Sequence, residues 1–162
     1  MKSKKEAVHS GTLFFKPKYE SMDLERAIDR LNSFEAFEQY YTDDLMDANQ
    51  LLPEYLYYLI DKYNTNPNRL ADRIGWSHDY VRQLVNGTRT NPDRDPMLAI
   101  CVSLKTTVEE AQILLKYAGN QPLYARRKRD AIIWFALKKH QDLRDLDEYL
   151  LNHGYDTLGK YK

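Results

Sequence analysis

A single cysteine, Cys101, occurs in the 162 residues, so no internal disulfide can staple the chain and its stability must come from an apolar core. No run approaches the roughly 18 consecutive apolar residues of a membrane helix. The basic opening stretch, MKSKKEAVHSGTLFF, lacks the apolar centre of a signal peptide. A cytoplasmic location without membrane contact is therefore expected. There is no alternating apolar–polar run of useful length and no internal repeat, which argues against strands and solenoids. A Gly-rich phosphate loop, a nucleophile elbow and an HExxH motif are all missing. His9, His78, His140 and His153 have no metal-ligand spacing with Cys101. The paired carboxylates Asp43-Asp44 lie in an acidic surface segment rather than a catalytic pair. Neither an enzyme nor a bound metal or cofactor is expected.

Net charge is also lacking, with 24 Lys+Arg against 24 Asp+Glu, whereas a nucleic-acid-binding domain is usually basic. The balance is uneven along the chain. Residues 1–20 carry +3, residues 21–53 carry −6, residues 54–120 balance, and residues 121–162 carry +3. An acidic segment thus lies between basic ones.

What is present is helical punctuation. Residues 1–20 form a flexible basic tail in which Leu13, Phe14 and Phe15 are available to dock. Ser21 caps a helix with Leu24, Ile28 and Leu31 at helical spacing, and Ser33 opens another with Phe34, Phe37 and Tyr41. Together these make residues 21–50 an acidic helical segment. Pro53 suits the first turn of the next helix, whose stripe is Leu56, Leu59, Ile60 and Tyr63. Asn66-Pro67 reads as cap and first helical position. Gly75 and Gly87 mark left-handed stops, and Ser77 caps the helix between them. Asp95-Pro96 starts a helix with Leu98, Cys101 and Val102 inward. Thr107 and Glu110 form a capping box for a helix that buries Ala111, Leu114, Leu115 and Ala118. Pro122 opens an amphipathic stretch with Ile132, Ile133, Phe135 and Ala136. Asp142 caps a last helix with Leu143, Leu146 and Leu150, stopped at Gly154.

The most specific pattern is Leu70-Ala71-Asp72-Arg73-Ile74, then Gly75-Trp76-Ser77, then His78-Asp79-Tyr80-Val81-Arg82-Gln83-Leu84-Val85-Asn86-Gly87. Two short helices joined by a tight turn let one helix present a face to a DNA groove. Ala71 is small where the second helix packs close, and Ile74, Val81 and Leu84 lock the pair inward. His78, Asp79, Arg82 and Gln83 are left pointing outward.

Over residues 70–87, and more loosely over 51–119, the chain resembles the XRE family of phage repressors and Cro proteins. The resemblance implies an all-α fold: a five-helix repressor-like helix-turn-helix bundle, here with helical extensions on both sides. It implies a sequence-specific double-stranded DNA-binding transcriptional regulator with helix 78–85 in the major groove. Carried over by position, the base readers are Ser77, His78, Asp79, Arg82 and Gln83. Gln83 can pair with adenine, and Asp79 can accept from cytosine N4. Phosphate contacts fall on Asn66, Asn68, Asn86, Thr88, Arg89 and Arg94. The sequence departs from the family at Val85, where glutamate is frequent, and at Trp76, which is bulkier than the usual turn residue.

Outside the resemblance, Arg126, Arg127, Lys128 and Arg129 form the strongest basic cluster. It can grip phosphate, pair with the acidic 35–47 segment, or be a solvated face. Residues 121–162, as a helical extension, either complete a larger core or supply a dimer seam, and a homodimer is expected because two-fold-related half-sites suit the family. The alternative function is a repressor-like protein-interaction module of antitoxin or anti-repressor type, docking a protein through the N-terminal acidic or C-terminal basic segment.

Overall fold

The structure, a computed structural model, describes residues 21–41 and 47–160. The tail at 1–20, with His9 and Leu13 to Phe15, and the Asp43-Asp44 pair lie outside the described residues. The described residues form nine helices and no strand: α1 (Ser21–Asp29), α2 (Phe34–Tyr41), α3 (Ala48–Lys62), α4 (Pro67–Ile74), α5 (His78–Asn86), α6 (Arg94–Leu104), α7 (Val108–Tyr117), α8 (Lys128–Lys138) and α9 (Leu143–Asn152). None of them is long and apolar enough to cross a membrane.

Ser33 caps α2 by accepting the Ala36 N–H at 3.2 Å. Among the described residues, none before Leu52 is buried, so α1 and α2 stand outside the core. The third helix begins earlier than Pro53 suggests. Asp47, in extended conformation, donates its N–H to Gln50 Oε1 at 3.0 Å and starts the helix at Ala48. Pro53 then lies inside α3, where it removes one backbone bond, and its ring lies close to Gly87.

The punctuation of α4 to α7 follows from local side chains. Asn66 Oδ1 accepts the Arg69 N–H at 2.9 Å, with Pro67 at the first helical position. Gly75 ends α4 at φ 74, and Ser77 Oγ accepts the Tyr80 N–H at 3.0 Å to open α5. Thr107 and Glu110 complete their reciprocal capping box at the start of α7. Helix α6 is buried on every side over residues 96–102 and is the axle of the core. It packs on α4, α7, α8 and α9, while α3 packs on α5 and α7.

The stretch after Pro122 differs from its sequence reading, because Pro122 stays in a loop and the helix starts at Lys128. That loop is held by side chains. Gln112 bonds both the N–H and the carbonyl of Leu123, and Arg94 donates to the carbonyls of Gln121 and Pro122. Of the expected apolar face, Ile133 and Ala136 are buried, Ile132 is half-buried, and Phe135 is 59% exposed.

Helices α8 and α9 join the same apolar cluster, which runs from Leu52 to Leu158. Two reciprocal ion pairs sew α8 to α6. Arg94 grips Asp130 with two bonds of 2.9 Å, and Arg129 grips Asp95 at 2.8 and 3.0 Å. After Gly154 the chain turns back as a strap, residues 155–160. The buried Asp147 carboxylate accepts the N–H groups of Leu158 and Gly159 at 2.7 and 2.9 Å. Leu158 is only 1% exposed, and the Lys160 N–H donates to the Ile74 carbonyl at 2.9 Å. The extension therefore closes onto the turn between α4 and α5.

Candidate nucleic-acid interface

Helix α5 divides cleanly into two faces. Val81 and Leu84 are fully buried against the core, as are Leu70, Ala71 and Ile74 of α4. His78, Asp79 and Arg82 project into solvent, and Gln83 is half-buried. The turn brings the start of α5 beside the end of α4, and the loop after Gly87 carries Thr88 and Arg89 to the same helix.

The outward side chains are paired with one another. His78 Nε2 lies 2.7 Å from Asp72 Oδ1, Arg82 reaches Asp79 at 2.5 Å, and Arg89 donates to Gln83 Oε1 at 2.9 Å. Asn86 Oδ1 accepts from the Thr88 N–H and hydroxyl at 3.0 and 2.8 Å. Ser77 and Asn66 use their oxygens as helix caps. Asn68 is exposed. The ion pairs here are exposed, and such pairs contribute about 0–1 kcal/mol. Exchanging Asp79 for a phosphate or a base edge therefore costs Arg82 little.

Arg89 is further ordered by Tyr80, whose ring centroid lies 4.6 Å from the guanidinium. Burial raises the Tyr80 phenol above its ordinary pKa, partly opposed by Arg89. The hydroxyl has no hydrogen-bond partner among the described residues. Its role is packing under the arginine.

Two residues with an expected phosphate role are placed otherwise. Arg94 is turned into the protein, because Asp130 and two loop carbonyls take its donors and its side chain is only 21% exposed. Arg129 is likewise consumed by Asp95 and the Asp156 carbonyl, which separates it from its neighbours in the basic cluster. Arg126, Arg127 and Lys128 remain exposed at the start of α8.

The structure also brings forward basic residues that sequence reasoning missed. Arg69 and Arg73 stand exposed on α4, one helical turn apart. A wheel of α4 drawn from its buried Leu70, Ala71 and Ile74 would have found both. Lys160 and Arg144 reach the turn between α4 and α5 from the extension, lining one groove with Ser77 and His78. No local signal announces that approach. Over residues 64–91, four arginines face two aspartates, so this part of the neutral chain is net positive.

The remaining perturbed groups are structural. Burial would raise the Glu110 carboxyl, but bonds from Lys62 Nζ at 2.8 Å, the Tyr63 hydroxyl at 2.5 Å and the Thr107 N–H at 3.0 Å hold it below its ordinary range. The Asp130 carboxyl is also lowered. Burial pushes it up, and Arg94 and the Tyr124 N–H more than offset that. Burial pushes the Cys101 thiol up to about 12, so it is an inert core group. Among the described residues, no three His, Cys, Asp or Glu side chains group as metal ligands would. Comparison with protein-family models, curated proteins and solved structures gave no match to the chain.

Proposed function

We propose that this protein is a sequence-specific double-stranded DNA-binding transcriptional regulator, built on a repressor-like helix-turn-helix bundle formed by α3 to α7. The observation that carries the reading is the two-faced α5. Its inner side is locked by Val81 and Leu84, while His78, Asp79 and Arg82 stand outward and Gln83 sits half-buried beside them. The start of α4 (Asn66, Asn68, Arg69) and the loop after α5 (Thr88, Arg89) flank it with phosphate-binding groups. In this reading α5 enters the major groove, and the weak surface pairs exchange for base edges and phosphates.

A homodimer suits the same reading. Between α8 and α9 lies an open apolar groove of about 570 Å³, lined by Ala131, Ile132, Phe135, Leu146 and Tyr149. Exposed Lys128 and Lys138 lie on α8, and exposed Asp145 and Glu148 on α9. A two-fold partner that sets α8 against α9 pairs these charges reciprocally.

Selection from a random duplex library at low and at physiological salt tests the proposal. An enriched two-fold site supports the regulator. Changing Gln83 to Ala then costs about 1–3 kcal/mol at one or two base positions. Changing Arg89 to Ala weakens all sequences alike and flattens the salt slope by roughly 0.9. Only sequence-blind, salt-sensitive binding refutes the regulator and favours the protein-docking alternative.

A further inference from the structure

We infer that the strap at residues 155–160 adds a DNA-phosphate-binding edge to the recognition face, with Lys160 and Arg144 as its cations. The inference rests on the DNA-binding reading above and extends it to residues outside the helix-turn-helix.

The strap is fixed relative to the turn rather than merely near it. Asp147 clamps the N–H groups of Leu158 and Gly159, Lys160 N–H bonds the last carbonyl of α4, and Trp76 Nε1–H reaches the Leu158 carbonyl at 3.4 Å. Gly75 and Trp76 of the turn both serve this contact. A Cβ at Gly75 would stand 1.6 Å from the Lys160 carbonyl oxygen, so only glycine lets the strap lie there. The Trp76 ring, tilted against Tyr80 with centroids 4.9 Å apart, carries the Lys160 ammonium 3.9 Å above its face.

A lysine held over a ring keeps its N–H donors for an incoming anion, because the ring attracts the charge without accepting those hydrogens in line. Lys160 Nζ makes no hydrogen bond to a described residue, whereas Arg82 and Arg89 are engaged by Asp79 and Gln83. Lys160 and Arg144 line a groove of about 770 Å³ together with Ser77, the cap of α5, and His78, its first residue. Asp72 is the acid in that groove, and its carboxylate is tied to the His78 ring. The cations thus stand where a backbone phosphate beside an inserted α5 would pass.

The experiment is fluorescence anisotropy of the full chain on a 30-base-pair duplex taken from the library selection, over a series of salt concentrations. The variants are Lys160→Gln, Arg144→Gln, their combination, and Lys160→Arg. Each lost phosphate contact flattens the log–log salt slope by about 0.9, so the double variant loses about 1.8. If the two salt lines meet near 1 M, that is a fall in affinity of roughly 60-fold at 0.1 M. Lys160→Arg keeps the parent slope, and circular dichroism melts show that every variant folds. A parent that binds with a Gln83-dependent base preference, while the double variant keeps the parent slope, overturns this inference and leaves the DNA reading standing. A parent that binds no duplex even at low salt overturns both.

Discussion

Changing Gly75 to Ala probes the contact between strap and turn most directly. Two effects add. Alanine at φ 74 costs about 1–2 kcal/mol, because its Cβ crowds the following carbonyl. The larger effect is steric: with the Lys160 oxygen 1.6 Å from the new Cβ, the strap has to lift. Lifting exposes Leu158, now 1% accessible, at about 1.5–3 kcal/mol. It also breaks the Lys160–Ile74 backbone bond, at about 0.5–1.5 kcal/mol. The total is roughly 3–6 kcal/mol. At about 2–4 °C per kcal/mol for a chain of this size, Tm falls by roughly 6–24 °C. The decisive assay repeats the substitution in a chain ending at Asp156, with denaturant melts for all four proteins. Without the strap, Gly75→Ala should cost only its conformational 1–2 kcal/mol, leaving a coupling of about 2 kcal/mol or more. Equal costs in the two backgrounds, to within about 0.5 kcal/mol, refute the steric account.

Glu110→Gln removes a charged acceptor from Lys62 and Tyr63 and should cost about 1.5–3 kcal/mol at pH 7. Because the folded carboxyl is held low, its stabilising effect is present above the unfolded value near pH ~4.3 and is lost as pH falls through the folded one. Urea melts of parent and variant should therefore converge in acid, and a constant gap would contradict the assignment. Arg94→Ala strands the buried Asp130 and should cost about 3–5 kcal/mol, read as a lower urea midpoint at unchanged slope. A shift under about 1 kcal/mol would return Arg94 to the phosphate-contacting role first expected of it. Phe135→Asp should turn the proposed dimer into a monomer in sedimentation with little change in melting, since Phe135 is 59% exposed. A parent that sediments only as monomer, with and without its duplex, removes the dimer from the proposal.

Features set by neighbours in the chain were legible in the sequence. Asn66-Pro67, Gly75, Ser77, Gly87 and the Thr107–Glu110 box each act within a few residues, and each stands where its side chain, or for the glycines the lack of one, dictates. The same local logic separated Val81 and Leu84 from His78, Asp79 and Arg82. What stayed hidden depends on distant partners. Nothing around Arg94 or Arg129 announces a carboxylate on another helix, so both looked like surface cations. Pro53 suggested a helix start because the Asp47–Gln50 contact is a weaker sequence signal than a proline. The use of the bulky Trp76 was hidden in the sequence because the carbonyl it reaches lies 82 residues further along the chain.

Arg94-Asp95 and Arg129-Asp130 are the same dipeptide, met in opposite order, so each arginine faces the other helix's aspartate. Turning either helix about its axis by one residue, so that Arg94 met Arg129 or Asp95 met Asp130, would oppose like charges that are at least partly buried, and these repel strongly. The two pairs thus key α8 to α6 by rotation as much as by position, and the same Arg129 that holds Asp95 also holds the Asp156 carbonyl at the start of the strap, so the seating of one helix is tied to the return of the chain.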